Sequence, residues 1–252
     1  MQSFKPSMNI IGISTGALCG GDWRQAVAIL NRKSVSAVEL SALRLVEFDE
    51  LAEEALSFAR QGFAYVSFHA PSAFPAEHEL EVVTKLARIV AHGFPVIAHP
   101  DCIRDFKCWR KLGDGLLIEN MDKRKPFGRT VSELRPVFAK LPDARWCFDI
   151  GHAKQVDTTM IHASQMLDAF GDRLAEIHLS DVDASSKHHP LNEQALRSFR
   201  GVLNASQVEG IPIILETPVT EAELEKEIDR ANAFLVSLTA VPIASGLLTV
   251  AA

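Results

Sequence analysis

Eight short runs of apolar and β-branched residues, each followed by a stretch of helical period, constrain this chain more than any other feature. The runs are Ile10–Ser14, Ala37–Leu40, Ala64–Phe68, Val96–Ala98, Leu116–Ile118, Trp146–Phe148, Ala175–Leu179 and Ile211–Leu215. Strands covered on both faces, as in a parallel sheet, read as continuous apolar blocks of this kind. Between them Trp23–Arg32, Phe48–Gln61, Glu79–His92, Thr130–Leu141, Thr158–Phe170, Asn192–Glu209 and Glu221–Ala233 place apolar residues three and four apart, on one helix face. Thr130 followed by Glu133 has the form of a capping box. The segment between the fourth and fifth runs, Cys102–Leu112, is shorter than the rest.

Repeating βα units of about 30 residues predict a parallel sheet, and eight of them predict closure. The expected fold is therefore of the α/β class, a single (β/α)8 TIM barrel over residues 1–252, a length that suits this architecture. A hydrophobic share of 47% suffices for its core. A doubly wound open sheet is the rival, but Gly16, Gly20 and Gly21 after the first run lack the spacing of a phosphate-binding loop. Residues 235–252 are mostly apolar but broken by Ser, Thr, Pro and Gly. They read as a C-terminal tail packed under the barrel or at the subunit contact of a homo-oligomer.

A formal charge of -6 argues against general nucleic-acid binding, and DNA is not an expected partner. The first dozen residues lack a basic start followed by a long apolar stretch, and no apolar run is long enough to span a bilayer. Cys19, Cys102, Cys108 and Cys147 form neither a close metal-type pair nor a disulfide framework, which predicts a reducing, cytoplasmic setting.

Barrels of this type build their active sites at the C-terminal ends of the strands. The third run leads into His69, the fourth into His99, the fifth into Glu119, the sixth into Asp149 and the eighth into Glu216, while His178 lies near the end of the seventh. His152 follows Asp149 in a D-x-x-H arrangement, and His188 lies in the loop after the seventh run with His189 beside it. The remaining histidines, His78, His92 and His162, fall in helical stretches. Imidazoles and carboxylates are the donors that divalent cations take, and so many converging at one mouth would be costly to bury without a cation. Glu39 ends the second run and reads as a structural ion pair with Arg44; Ser180 and Asp181 are placed to orient a ligand.

FHAPSAF, IAHPD, LIENMD, CFDIGHA, IHLSDVD, KHHPL and ILETP resemble the xylose isomerase-like barrel superfamily, which includes endonuclease IV and many sugar isomerases and epimerases. The resemblance runs from about the second strand to the eighth. It implies that Glu119, Asp149, His178 and Glu216 form the four-ligand metal site shared by the epimerases and the endonuclease. It further implies that His69 and His99 complete another metal with a bridging Glu119, as in the endonuclease, and that His152 and His188 hold a third. The chain departs from the endonuclease pattern at Ser186, where an Asp would complete that third site. The region after the second strand, SALRLVEFDE, has no basic and aromatic loop for DNA insertion.

Two reactions follow from these ligands, with one to three Zn, Mn or Fe ions as cofactor. Leading is phosphoester hydrolysis on a small anionic substrate, in which paired metals activate water. Lys123, Arg124, Lys125 and Arg129 after the fifth strand, with Lys154 and Lys187, would hold the anion. The alternative is a sugar (phosphate) isomerase or epimerase with one metal, in which Glu119 and Glu216 move a proton on and off carbon. A non-catalytic metal-binding barrel is the third reading.

Overall fold

The computed structural model of the chain describes residues 10–239, apart from positions 34, 43 and 59–61. Eight parallel strands close into the expected barrel: β1 (Ile11–Ser14), β2 (Ala37–Ser41), β3 (Tyr65–His69), β4 (Val96–Ala98), β5 (Leu116–Glu119), β6 (Arg145–Asp149), β7 (Leu174–Leu179) and β8 (Ile213–Leu215). Closure comes from β1 on β8, with Ile11 opposite Ile213 and Ile13 opposite Leu215. A short antiparallel ribbon, Asp181–Val182 with His188–His189, stands after β7.

The surrounding helices are α1 (Trp23–Leu30), α2 (Phe48–Phe58), α3 (Glu79–Ala91), α4 (Phe106–Trp109), α5 (Val131–Lys140), α6 (Ile150–Val156), α7 (Ile161–Phe170), α8 (Glu193–Arg200), α9 (Ala205–Val208) and α10 (Glu221–Thr239). Three boundaries differ from the sequence reading. A separate helix, α6, starts directly at the end of β6, because the Asp149 carboxylate accepts from the His152 backbone N–H at 2.6 Å and caps it. The stretch Asn192–Glu209 is broken after Arg200, and Asn204 starts α9 with a capping box to Gln207. Residues 235–239 belong to α10 rather than to a tail, with Leu235 and Leu238 buried; positions 240–252 lie outside the described residues. At α5 the Thr130 hydroxyl accepts from Glu133 N, but the Glu133 carboxylate accepts from one residue further back, from Arg129 N at 2.7 Å.

Most of the core lies between strands and helices. A small separate group, Ile97, Leu117, Cys147 and Ala175, fills the barrel interior below the strand ends. Gly12 lets β1 pass close to β2: a Cβ there would lie 2.2 Å from the Ala37 carbonyl oxygen. Among the described residues no helix is long and apolar enough to cross a membrane.

Candidate metal centre

Side chains alternate across a strand, so the residues closing β3, β5 and β6, and those just beyond β4 and β8, converge over the barrel axis. Glu119 lies at the centre and is 1% exposed. Its Oε2 sits 3.1 Å from His69 Nε2 and 3.2 Å from His99 Nε2. Its Oε1 faces the other way, 3.2 Å from His152 Nδ1 and 3.7 Å from His178 Nδ1. His178 Nδ1 is in turn 3.5 Å from Glu216 Oε1. Two groups result whose donor atoms lie within 4.8 Å of one another: His69, His99 and Glu119, and Glu119, Asp149, His178 and Glu216. Glu119 belongs to both.

The donor set fits a dication. His69 Nδ1 donates to the Ala70 carbonyl at 2.8 Å, so in the neutral ring the Nε2 lone pair points at the Glu119 carboxylate. Two such acceptors face each other only with a proton or a cation between them. With no cation the proton is held tightly. Burial disfavours charge on His69, but the hydrogen bond to Glu119 and the charges of Glu39 and Glu119 outweigh it and raise its pKa to about 9. His152 is raised to about 10, with Asp149 and Glu119 outweighing burial. Burial pushes the Asp149 and Glu216 carboxyls up, opposed chiefly by His152 and His178 respectively. His99 Nδ1, Asp149 Oδ2, His178 Nδ1 and Glu216 Oε2 are buried without a hydrogen-bond partner. Each such atom costs about 1–3 kcal/mol, and all four surround the mouth.

His152 and His188 are less complete as ligands. Their rings are 5.4 Å apart, and among the described residues no group of three or more donors includes either. His188 Nδ1 is hydrogen-bonded to Ser180 Oγ at 2.8 Å. Asp181 instead takes Lys154, at 2.7 Å. Ser186, with φ of 62°, accepts from Gln155 Nε2 at 2.6 Å and supplies no carboxylate.

The mouth opens into a cavity of about 180 Å³ whose wall includes His69, His99, His188, Glu216, Arg124 and Lys125. Of the six basic residues singled out, Arg124 and Lys125 reach this wall. Both are ion-paired, Arg124 with Asp122 at 2.7 Å and Lys125 with Asp101 at 3.0 Å. Arg129 pairs with Glu133, while Lys123 and Lys187 are exposed. Roomier surface grooves exist, about 380 Å³ between α2 and α3 and about 580 Å³ between α5 and α7. In the first, Asp49 and Glu53 are taken up by Lys85 and Arg88, and the second gathers no cluster of metal donors.

Four buried residues were not read as part of the centre. Glu39 does not pair with Arg44, which binds Glu47; its carboxylate lies 3.0 Å from His178 Nε2. Glu176 Oε1 is also 3.0 Å from that nitrogen. Asp122 lies 3.9 Å from His152 Nε2, on the cavity wall. Asn120 ties β5 to β6, accepting from Asp149 N at 3.0 Å and donating to Asp149 O at 2.7 Å. The available signal was strand period: Glu39 and Glu176 point inward in runs otherwise apolar.

No protein-family model matches the sequence, and no curated protein matches it. Solved structures do match in fold. Endonuclease IV from Thermus thermophilus is 18% identical with a TM-score of 0.60, covering 90% of this chain and 99% of that one. A D-tagatose 3-epimerase-like protein is 13% identical with a TM-score of 0.60, covering 90% and 97%. A xylose isomerase domain protein from Alicyclobacillus acidocaldarius is 13% identical with a TM-score of 0.63, covering 91% and 99%. The chain has the fold of the xylose isomerase-like TIM barrels.

Proposed function

We propose that this chain is a divalent-metal-dependent enzyme that hydrolyses a small phosphoester or related anion at a two-metal mouth. One observation carries the reading: Glu119 belongs to two donor groups, and each of its carboxylate oxygens faces a different one. His69, His99 and Glu119 would hold one ion; Glu119, Asp149, His178 and Glu216 would hold the other. Such a pair polarises phosphoryl oxygens and makes water nucleophilic at neutral pH. The His-rich group suits Zn or Fe, and the carboxylate-rich one suits Mn or Mg as well.

The chain's own residues would do the rest. Arg124, held by Asp122, and Lys125, held by Asp101, present positive charge on the cavity wall for the anion. Glu216, kept partly protonatable by burial, is placed to take a proton from water or return one to the leaving group. A duplex is a poor fit, because the segment after β2 runs into the acidic first turn of α2. A second reading rests on the four-donor group alone. It contains both Glu119 and Glu216, the pair an isomerase or epimerase would use to carry a proton between carbons of a sugar.

Elemental analysis of untagged protein, with turnover of aryl phosphomono- and diesters set against a ketose panel, decides between them. The expected result is two or more metal equivalents and phosphoester turnover that His69→Ala abolishes. One equivalent, with ketose turnover that survives His69→Ala, would replace hydrolysis by isomerisation.

A further inference from the structure

One layer below the mouth, a TIM barrel ordinarily packs branched apolar side chains. Residues two before a mouth ligand, on the same inward face, form that layer here. Ile97, Leu117 and Ile214 keep to the rule, two before His99, Glu119 and Glu216. Cys147 and Glu176 do not, two before Asp149 and His178. Glu39 joins them from β2, where it is in register with Ser14 and Ser67 of the neighbouring strands. Cys147, Glu176, Glu39 and His178 are each 0% exposed.

Cys147 Sγ, a Glu176 carboxylate oxygen and a His178 ring nitrogen lie within 4.8 Å of one another. Glu39 Oε2 and Glu176 Oε1 are each 3.0 Å from the same nitrogen, His178 Nε2. One imidazole N–H cannot serve two carboxylates. Glu176 is provided for, since Tyr65 donates to its Oε2 at 2.5 Å and Ser67 to its Oε1 at 3.4 Å. Glu39 is not: neither of its oxygens has a partner in hydrogen-bond geometry. Among the described residues no Lys or Arg pairs with Glu39 or Glu176. Protonating Glu39 would let one oxygen donate to His178 Nε2, 3.0 Å away, but would take that nitrogen from Glu176 and leave the other Glu39 oxygen unpartnered, whereas a cation would serve both carboxylates at once.

We propose that the barrel interior holds a second metal site beneath the mouth, sharing His178 with it and formed by Cys147 Sγ, His178 Nε2 and Glu176, with Glu39, which lies outside that close group but 3.0 Å from the same nitrogen, closing in as a fourth ligand. A thiol, an imidazole and a carboxylate, with a second carboxylate adjacent, make a donor set for a borderline dication of the zinc class, and disfavour magnesium or calcium. On binding, the Cys147 thiol gives up its proton to solvent and ligates as thiolate. With the mouth empty, the His178 N–H would sit on Nδ1, toward Glu119 and Glu216; with both sites filled, that proton too would pass to solvent and His178 would bridge as imidazolate. The mouth contains only nitrogen and oxygen donors, so a sulfur signature reports on the interior alone, whichever reaction the mouth catalyses.

The test is absorption spectroscopy on the full chain produced with cobalt as the only added transition metal. Wild-type protein is expected to show a thiolate-to-cobalt charge-transfer band in the near ultraviolet. That band should disappear in Cys147→Ser, with one cobalt per chain lost, and also in Glu39→Gln, which keeps all four cysteines. If Cys147→Ser does not fold, the wild-type spectrum and Glu39→Gln decide. Bound cobalt with visible bands but no thiolate band would overturn the interior site and leave the mouth reading standing. A band that survives Cys147→Ser would also overturn it, since another cysteine would be the ligand. A chain that takes up no cobalt overturns both.

Discussion

Stripping the metal should reverse the sign of the chain's pH dependence, and the His69–Glu119 contact sets how strongly. In the metal-free protein His69 is raised from its ordinary value of about 6.5 to about 9. A group whose folded pKa is raised stabilises the fold fully below its unfolded pKa, and loses that contribution as pH rises through the folded one. At 1.36 kcal/mol per pH unit, His69 contributes about 3 kcal/mol at pH 6, lost by about pH 9. His152, raised to about 10, adds a loss of the same sign over a similar range. With cations bound the opposite holds, because ligand imidazoles must be neutral and stability rises with pH until they are. Urea unfolding at intervals from pH 6 to pH 9 measures this, with and without chelator. Glu119→Gln removes the carboxylate facing both imidazoles, at 3.1 Å and 3.2 Å, and should flatten the chelated slope. A chelated wild-type chain equally stable across this window would refute the reasoning, as would an unchanged slope in Glu119→Gln.

Three further outcomes follow from the same structure. Metal binding at pH 7 should release at least one proton per chain, since His69 and His152 are both charged there without metal; calorimetry in buffers of different ionisation enthalpy counts it. Glu79→Ala should cost about 3 kcal/mol or more in urea unfolding, because one carboxylate oxygen accepts from Arg104 N, Asp105 N and Trp109 Nε1 at 2.7, 3.1 and 2.8 Å. Glu79→Gln, which keeps an acceptor, should lose much less. Gly12→Ala should destabilise by about 3 kcal/mol on thermal unfolding, since its Cβ would meet the Ala37 carbonyl carbon at 2.3 Å across a rigid strand pair.

Hydrophobic period and residue type by themselves determined the barrel and the ring of candidate donors at its mouth. Eight apolar runs with helical stretches between them have few ways to bury both faces, and closure brings every strand end to one mouth. His69, His99, Glu119, Asp149, His178 and Glu216 were therefore legible as a set, because a strand end is a position and positions are read along the chain. Pairing is not read that way. Arg124 and Lys125 look like free cations in the sequence, yet Asp122 and Asp101 hold them. Glu39 looks like a partner for nearby Arg44, yet it faces His178, far along the chain and across the barrel. Local spacing dictates which way a side chain points, through the two-residue period of a strand. Only the closed barrel, by setting register and curvature across all eight strands, decides which distant charge it meets and whether water can reach it.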